Sequence, residues 1–126
     1  MKRDLDLIRQ IMLTLEENME YGKKFHSEQL FEVMKDATLS AEKLSYHLEL
    51  LVEINFISAI RQKYLSGEPT DYLIKTITSQ GHDFIDTIRQ DKTWKKIKEK
   101  SYNIGGFSLS LLVDIGKEYL KKQIGL

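Results

Sequence analysis

Leu39-Ser40-Ala41-Glu42-Lys43-Leu44-Ser45-Tyr46-His47-Leu48-Glu49-Leu50-Leu51-Val52-Glu53-Ile54-Asn55-Phe56-Ile57 decides the fold of this chain. Ala41, Leu44, Leu48 and Leu51 recur at helical spacing, which puts them on one narrow face. Ser40 ahead of them supplies an oxygen for the open amide groups at a helix start. Asn55 tolerates the left-handed conformation that closes a helix, and the apolar Phe56 and Ile57 after it begin a segment with strand preferences. The spacing predicts a capped helix that stops sharply and runs directly into a strand.

The segments on either side extend the pattern. Phe56 to Tyr64 and Tyr72 to Ile77 read as two strands, rich in β-branched and aromatic residues, and Ser66-Gly67-Glu68-Pro69-Thr70-Asp71 between them has turn chemistry. This hairpin carries Glu68 and Asp71 at its tip and Arg61, Lys63 and Lys75 on its stems. Upstream, Asp4 is placed to cap a helix of about four turns in which Leu5, Ile8, Met12, Leu15 and Met19 share a face, with Asp6 as a favourable first-turn acid. Gly22 breaks that helix, and Phe25-His26 is expected to pair briefly with the hairpin. Ser27 is placed to cap a second, short helix through Leu30, Phe31, Val33 and Met34, ending near Asp36-Ala37-Thr38. Two helices then follow one another across a short turn.

Beyond the hairpin, Thr78 or Ser79 can cap a helix in which Phe84, Ile85 and Ile88 face inward and Gly81 allows close backbone packing in the first turn. Asp91 is expected to cap a basic helix bearing Trp94 and Ile97 among Lys92, Lys95, Lys96, Lys98 and Lys100. Tyr102-Asn103-Ile104-Gly105-Gly106-Phe107 has linker composition, and Ser108 then caps an amphipathic helix with Leu111, Leu112, Ile115, Tyr119 and Leu120 in a stripe. The sequence has no internal repeat and no low-complexity segment. The expected fold class is α+β, mostly α: a three-helix core with a β-hairpin over residues 1–90, and a helical C-terminal extension over residues 91–126 packed on the core or on a partner subunit.

Leu39-Ser40, Leu44, Ser45-Tyr46-His47-Leu48, Leu51 and Ile54-Asn55-Phe56-Ile57 resemble the recognition half of bacterial winged helix-turn-helix repressors, with Asn55 where that family usually has Gly. Ile77-Thr78-Ser79-Gln80-Gly81 resembles the Leu-Thr-x-x-Gly with which many such domains leave the wing. The resemblance implies a winged helix-turn-helix whose second helix of the motif enters the major groove. Met1-Lys2-Arg3-Asp4-Leu5-Asp6-Leu7-Ile8-Arg9, Tyr46-His47-Leu48-Glu49-Leu50-Leu51-Val52-Glu53 and Thr78-Ser79-Gln80-Gly81-His82-Asp83-Phe84-Ile85-Asp86-Thr87-Ile88-Arg89, followed by Asp91 and Trp94, carry a second resemblance. Through them the whole chain is similar to the bacterial and prophage family catalogued as domain of unknown function 2513. That name implies no activity. It adds a prophage or host-regulatory context, which suits a small DNA-binding regulator and also a small inhibitor of a host protein.

Composition bounds the function. The chain has 126 residues, enough for a real core, with 41% hydrophobic and 30% charged residues, as in ordinary soluble proteins. It has no cysteine, which excludes disulfides and thiolate metal sites. No apolar run approaches membrane-spanning length and no basic-then-apolar leader opens the sequence, so no membrane contact and a cytoplasmic location are expected. Nineteen Lys and Arg balance nineteen Asp and Glu, so no net field attracts nucleic acid. The balance is uneven: residues 1–39 sum to minus two, 40–78 to minus one, 79–90 to minus one and 91–126 to plus four.

If the helix after Ser40 enters the major groove, then Ser40, Glu42, Lys43, Ser45, Tyr46 and His47 face base edges or flanking phosphates, and Arg61, Lys63 and Lys75 bring the wing to the backbone. His47 has a second role open to it, as a partly buried histidine packing on the first helix. The lysines around Trp94 either hold phosphates or form a solvated face. His26 and His82 have no second ligand at helical or hairpin spacing, so neither a metal nor a cofactor is expected. The sequence contains no Gly-rich phosphate loop, no Gly-x-Ser-x-Gly elbow and no His-Glu-x-x-His, and catalysis is not expected. The expected function is binding of double-stranded DNA by a small transcriptional regulator of phage or prophage type, dimeric through its C-terminal helix. The alternative is a protein–protein interaction module of the same fold, with a host protein as partner. The neutral total, the acid-tipped wing and Lys43 as the one cation on the helix favour that alternative.

Overall fold

The computed structural model describes residues 1–103 and 108–125. Asp4 begins the first helix as expected: its Oδ1 accepts the N–H of Leu7 at 3.1 Å, and α1 (Leu5–Asn18) buries Leu5, Leu7, Ile8, Ile11, Met12 and Leu15. Gly22 turns the chain with φ +77°, a conformation glycine adopts without steric cost. Strand β1 (Phe25–His26) leads straight into α2 (Ser27–Met34). His26, and not Ser27, caps α2: its Nδ1 accepts the Glu28 N–H at 3.1 Å, while Gln29 Oε1 accepts the His26 N–H at 2.9 Å. Ser27 is instead buried, accepting the Tyr72 N–H at 3.0 Å and donating to Asp71 Oδ1 at 3.2 Å. Its hydroxyl is taken by the sheet, so the preceding imidazole does the capping.

Helix α3 (Ala41–Glu53) is capped by Ser40, whose Oγ accepts the Lys43 N–H at 3.1 Å. It closes through Asn55 at φ +63°, and the Phe56 N–H returns to the Leu51 carbonyl at 2.9 Å. Leu44, Leu48 and Leu51 are buried, as are Leu5, Ile8, Met12 and Leu15 of the α1 face. Ala41 departs from the expected stripe and is exposed. On α2, Leu30 is fully buried whereas Phe31 and Val33 are exposed. An eight-residue helix has one narrow inward face, and Leu30 occupies it.

Strands β2 (Ile57–Gln62) and β3 (Asp71–Ile77) form an antiparallel hairpin, and β1 pairs with the other edge of β3, giving the order β1-β3-β2. Phe25 pairs with Ile74 and Arg61 with Tyr72. Ser58 pairs with Thr76 but Ala59 with Ile74, so Lys75 is the extra residue of a bulge. After β3, Thr78 Oγ1 donates to the Asn55 carbonyl at 2.6 Å and accepts the Gly81 N–H at 3.0 Å. A β-carbon at Gly81 would overlap the Phe56 carbonyl oxygen, so the close approach expected at this glycine is present.

By packing, the chain falls into two units, Met1–Gly81 and His82–Leu126. The division lies inside α4 (Ser79–Ile88), ahead of the position 90 expected from the sequence. The second unit contains the remainder of α4, α5 (Asp91–Asn103) and α6 (Leu109–Gln123). Phe84, Ile85, Ile88, Trp94 and Ile97 are buried, and Phe84 meets Trp94 edge to face at 6.4 Å. Asp91 lies in the first turn of α5, and the Gln90 carbonyl takes the Trp94 N–H at 2.9 Å. Of the expected linker, Tyr102 and Asn103 are the last residues of α5, and residues 104–107 lie outside the described ones. Ser108 caps α6, accepting the Leu111 N–H at 3.0 Å. The buried seam of α6 is Leu109, Leu112 and Gly116, so Leu112 alone of the expected stripe is fully inside. Gly116 lets α6 approach Thr87 and Ile97 closely enough to shift the seam toward it.

Candidate functional site

The nine residues expected to face nucleic acid separate into those committed inside the first unit and those left outside. His47 is fully buried. Its Nδ1 lies 2.7 Å from the Lys43 carbonyl, which can only accept, so Nδ1 carries the proton and Nε2 accepts the Asp4 N–H at 2.8 Å. Burial lowers its pKa, against the backbone hydrogen bond and the Asp4 charge. Of its two sequence roles, the structure gives it the packing one. Ser40 is spent as the α3 cap, although it remains exposed. Ser45 donates to the Thr70 carbonyl at 2.8 Å and so ties α3 to the hairpin loop.

Two of the cations, Lys43 and Arg61, are similarly engaged. Lys43 Nζ lies 3.1 Å from Asp4 Oδ2. Partial burial of Asp4 opposes ionisation, but the Leu7 N–H and the Lys43 ammonium outweigh it and hold the carboxyl below its usual range. Arg61 grips Glu49 with two nitrogens, Nε at 2.5 Å from Oε1 and Nη2 at 2.7 Å from Oε2. This fork is the geometry in which guanidinium and carboxylate bind most firmly. It lowers the Glu49 pKa, raises that of Arg61, and is joined by the Tyr72 hydroxyl donating to Glu49 Oε1 at 3.2 Å. Burial and Glu49 together push the Tyr72 phenol up to about 12. Glu42, Tyr46, Lys63 and Lys75 remain exposed.

Between α2, the N-terminal half of α3 and the hairpin loop lies a cleft of about 310 Å³. Phe31, Ala41, Leu44 and Pro69 give it apolar walls, and Glu28, Glu32, Glu68 and Asp71 are its charged residues; among the described residues no Lys, Arg or His lines it. Tyr64 stands at its edge, donating to Asp71 Oδ2 at 2.5 Å, and the hydrogen bond to Asp71 with the nearby Glu28 and Glu68 raises the phenol pKa. The sequence pattern missed this cleft. Its signal was Glu28 and Glu32 one turn apart around Phe31, an apolar residue that the narrow inward face of α2 does not bury.

Among the described residues, no three His, Asp or Glu side chains are grouped so as to hold a metal ion. No described helix is long and apolar enough to cross a membrane.

A family model described as "Hypothetical protein (DUF2513)" matches residues 2–108. An uncharacterised protein of Haemophilus influenzae is 34% identical over 120 residues, covering 94% of this chain and 91% of the relative. No solved structure matches the chain. The family match and the Haemophilus relative both run through α1, α3, the hairpin and α5, and on them the chain belongs to the DUF2513 family.

Proposed function

We propose that residues 1–81 are a winged helix-turn-helix domain used to hold a protein surface. The element order α1, β1, α2, α3, β2, β3, with β3 central, supports the winged-helix assignment. The interaction role rests on one observation: the cleft between α2, the N-terminal half of α3 and the hairpin loop is lined by four carboxylates and, among the described residues, by no cation. Phosphate neutralisation supplies most nonspecific DNA affinity. Here Arg61 is neutralised by Glu49 and Lys43 is paired with Asp4. The partner class is a second copy of the chain or a host protein. Mobility-shift titration of the full chain with fragments from its own genomic neighbourhood tests this: no shift at micromolar protein and low salt is expected, and a sequence-selective shift overturns it.

A second reading, a small DNA-binding transcriptional regulator of phage or prophage type, draws support from Glu42, Tyr46, Lys63 and Lys75, which remain exposed on α3 and the hairpin. In that reading the N-terminal half of α3 enters the major groove of double-stranded DNA.

A further inference from the structure

The cleft asks for an occupant that is apolar at its centre and basic around it, and the last turns of α6 have that composition. Lys117, Leu120 and Lys121 are spaced to share one helix face, and Ile124, the C-cap of α6, follows at the next position of that spacing. Leu120 is 36% and Ile124 71% exposed, while Lys117, Lys121 and Lys122 are all exposed. Leu120 and Ile124 leave aliphatic surface open at the end of a helix whose buried seam is Leu109, Leu112 and Gly116. Charge divides the same way. Residues 1–81 hold ten Lys and Arg against thirteen Asp and Glu, and residues 82–126 hold nine against six. The acidic unit carries the cleft, and the basic unit carries the exposed aliphatic turn.

We propose that the cleft receives the last turns of α6 from a second copy of this chain, with Leu120 and Ile124 entering between Phe31, Leu44 and Tyr64 and the α6 lysines meeting Glu28, Glu32 and Glu68. This rests on the protein-interaction reading above and names the partner. The walls and volume suit it: about 310 Å³ holds more than one branched aliphatic side chain, and Phe31, 38% exposed, gains a partner for its ring. The rim carboxylates of Glu28, Glu32 and Glu68 are exposed, so their pairing with lysine costs little desolvation and sets orientation more than strength. Each copy has one cleft and one α6 end, so each of two copies has the complement of what the other offers.

Sedimentation equilibrium on the full chain, at two salt concentrations and across protein concentration, tests the exchange. The expected result is a reversible dimer that weakens with salt. Ile124→Asp and Glu32→Lys should each raise the dissociation constant about tenfold or more. Both positions are exposed, and unchanged circular dichroism verifies the fold. Glu32→Lys combined with Lys121→Glu should restore association. A monomer at every concentration, including one with the α6 end held in its own cleft, overturns the exchange. So does a dimer indifferent to these substitutions, or a charge swap that restores nothing. A monomer that also fails to shift DNA removes only the second-copy assignment, whereas a sequence-selective DNA shift removes the interaction reading itself.

Discussion

Asp4 and His47, 43 positions apart, are joined by a hydrogen bond of 2.8 Å from the Asp4 N–H to Nε2 of the buried imidazole. The other ring nitrogen holds the Lys43 carbonyl, and the Lys43 ammonium returns to the Asp4 carboxylate at 3.1 Å. The start of α1 and the first turns of α3 are thus fastened by one closed circuit. It fixes α3 on α1 with groups that the sequence alone makes equally available to DNA.

The circuit is pH-sensitive in a definite direction. An imidazolium would point a second N–H at the Asp4 N–H, so the folded state resists protonation of His47 and its pKa falls below 6.5. The stability it contributes is fully present above the unfolded value of 6.5 and is lost as pH falls through the lower folded one. Urea midpoints measured from pH 8 downward should stay level to about pH 6.5 and then decline. In His47→Gln the decline through that window should flatten, and the variant should lose about 1–3 kcal/mol at neutral pH.

Leu48 is fully buried on the face of α3 that shares the core with α1. Leu48→Ala should cost about 2–5 kcal/mol through lost transfer energy and the cavity left behind. An unchanged denaturation midpoint would mean that this face of α3 is not the inward one.

Two glycines probe the two units separately. Gly81→Ala drives a methyl into the Phe56 carbonyl oxygen, a backbone atom that cannot yield cheaply, and about 1–3 kcal/mol should be lost. Gly116→Ala meets the Thr87 methyl, so Thr87→Ser in the same chain should recover most of its loss while keeping the hydroxyl bond to the Asp83 carbonyl at 2.7 Å. Differential scanning calorimetry of the single and double variants checks the recovery.

How far these features were legible in the sequence depends on how local their physics is. Asp4, Ser40, Ser108, Asn55 and Gly81 act within a turn or at a junction of two elements, and each was readable from its neighbours. Ser27 was misread because Asp71 and Tyr72, far along the chain, take its hydroxyl and leave the capping to His26. The stripe of α6 was misplaced because Gly116 looks like a defect until Thr87 and Ile97 occupy the space beside it. The acidic cleft draws Glu28 and Glu32 from α2 and Glu68 and Asp71 from the hairpin, and no periodicity in one element could assemble it. The Arg61–Glu49 fork joins β2 to α3, so Arg61 counted as a free cation until the hairpin was folded back.

That fork provides the sharpest separation of the two functional readings. Glu49→Gln removes the charge that neutralises Arg61 while keeping an acceptor near the Tyr72 hydroxyl, so it leaves an uncompensated guanidinium on the hairpin. If the domain binds DNA through α3 and the wing, the released cation should strengthen binding at low salt and steepen the salt dependence by about one phosphate contact. Lys63→Ala should then do the opposite, weakening all sequences alike, whereas Tyr46→Ala should erode only the preference for the specific site. Glu42→Gln should raise nonspecific affinity while lowering discrimination, because a carboxylate is useful in the groove only against cytosine. If the domain holds a protein surface, the four cleft carboxylates are intact in every one of these variants and none of the four substitutions touches the binding surface. All four should then remain as weak as wild type at both salt concentrations. A mobility shift that strengthens in Glu49→Gln and weakens in Lys63→Ala would decide for DNA.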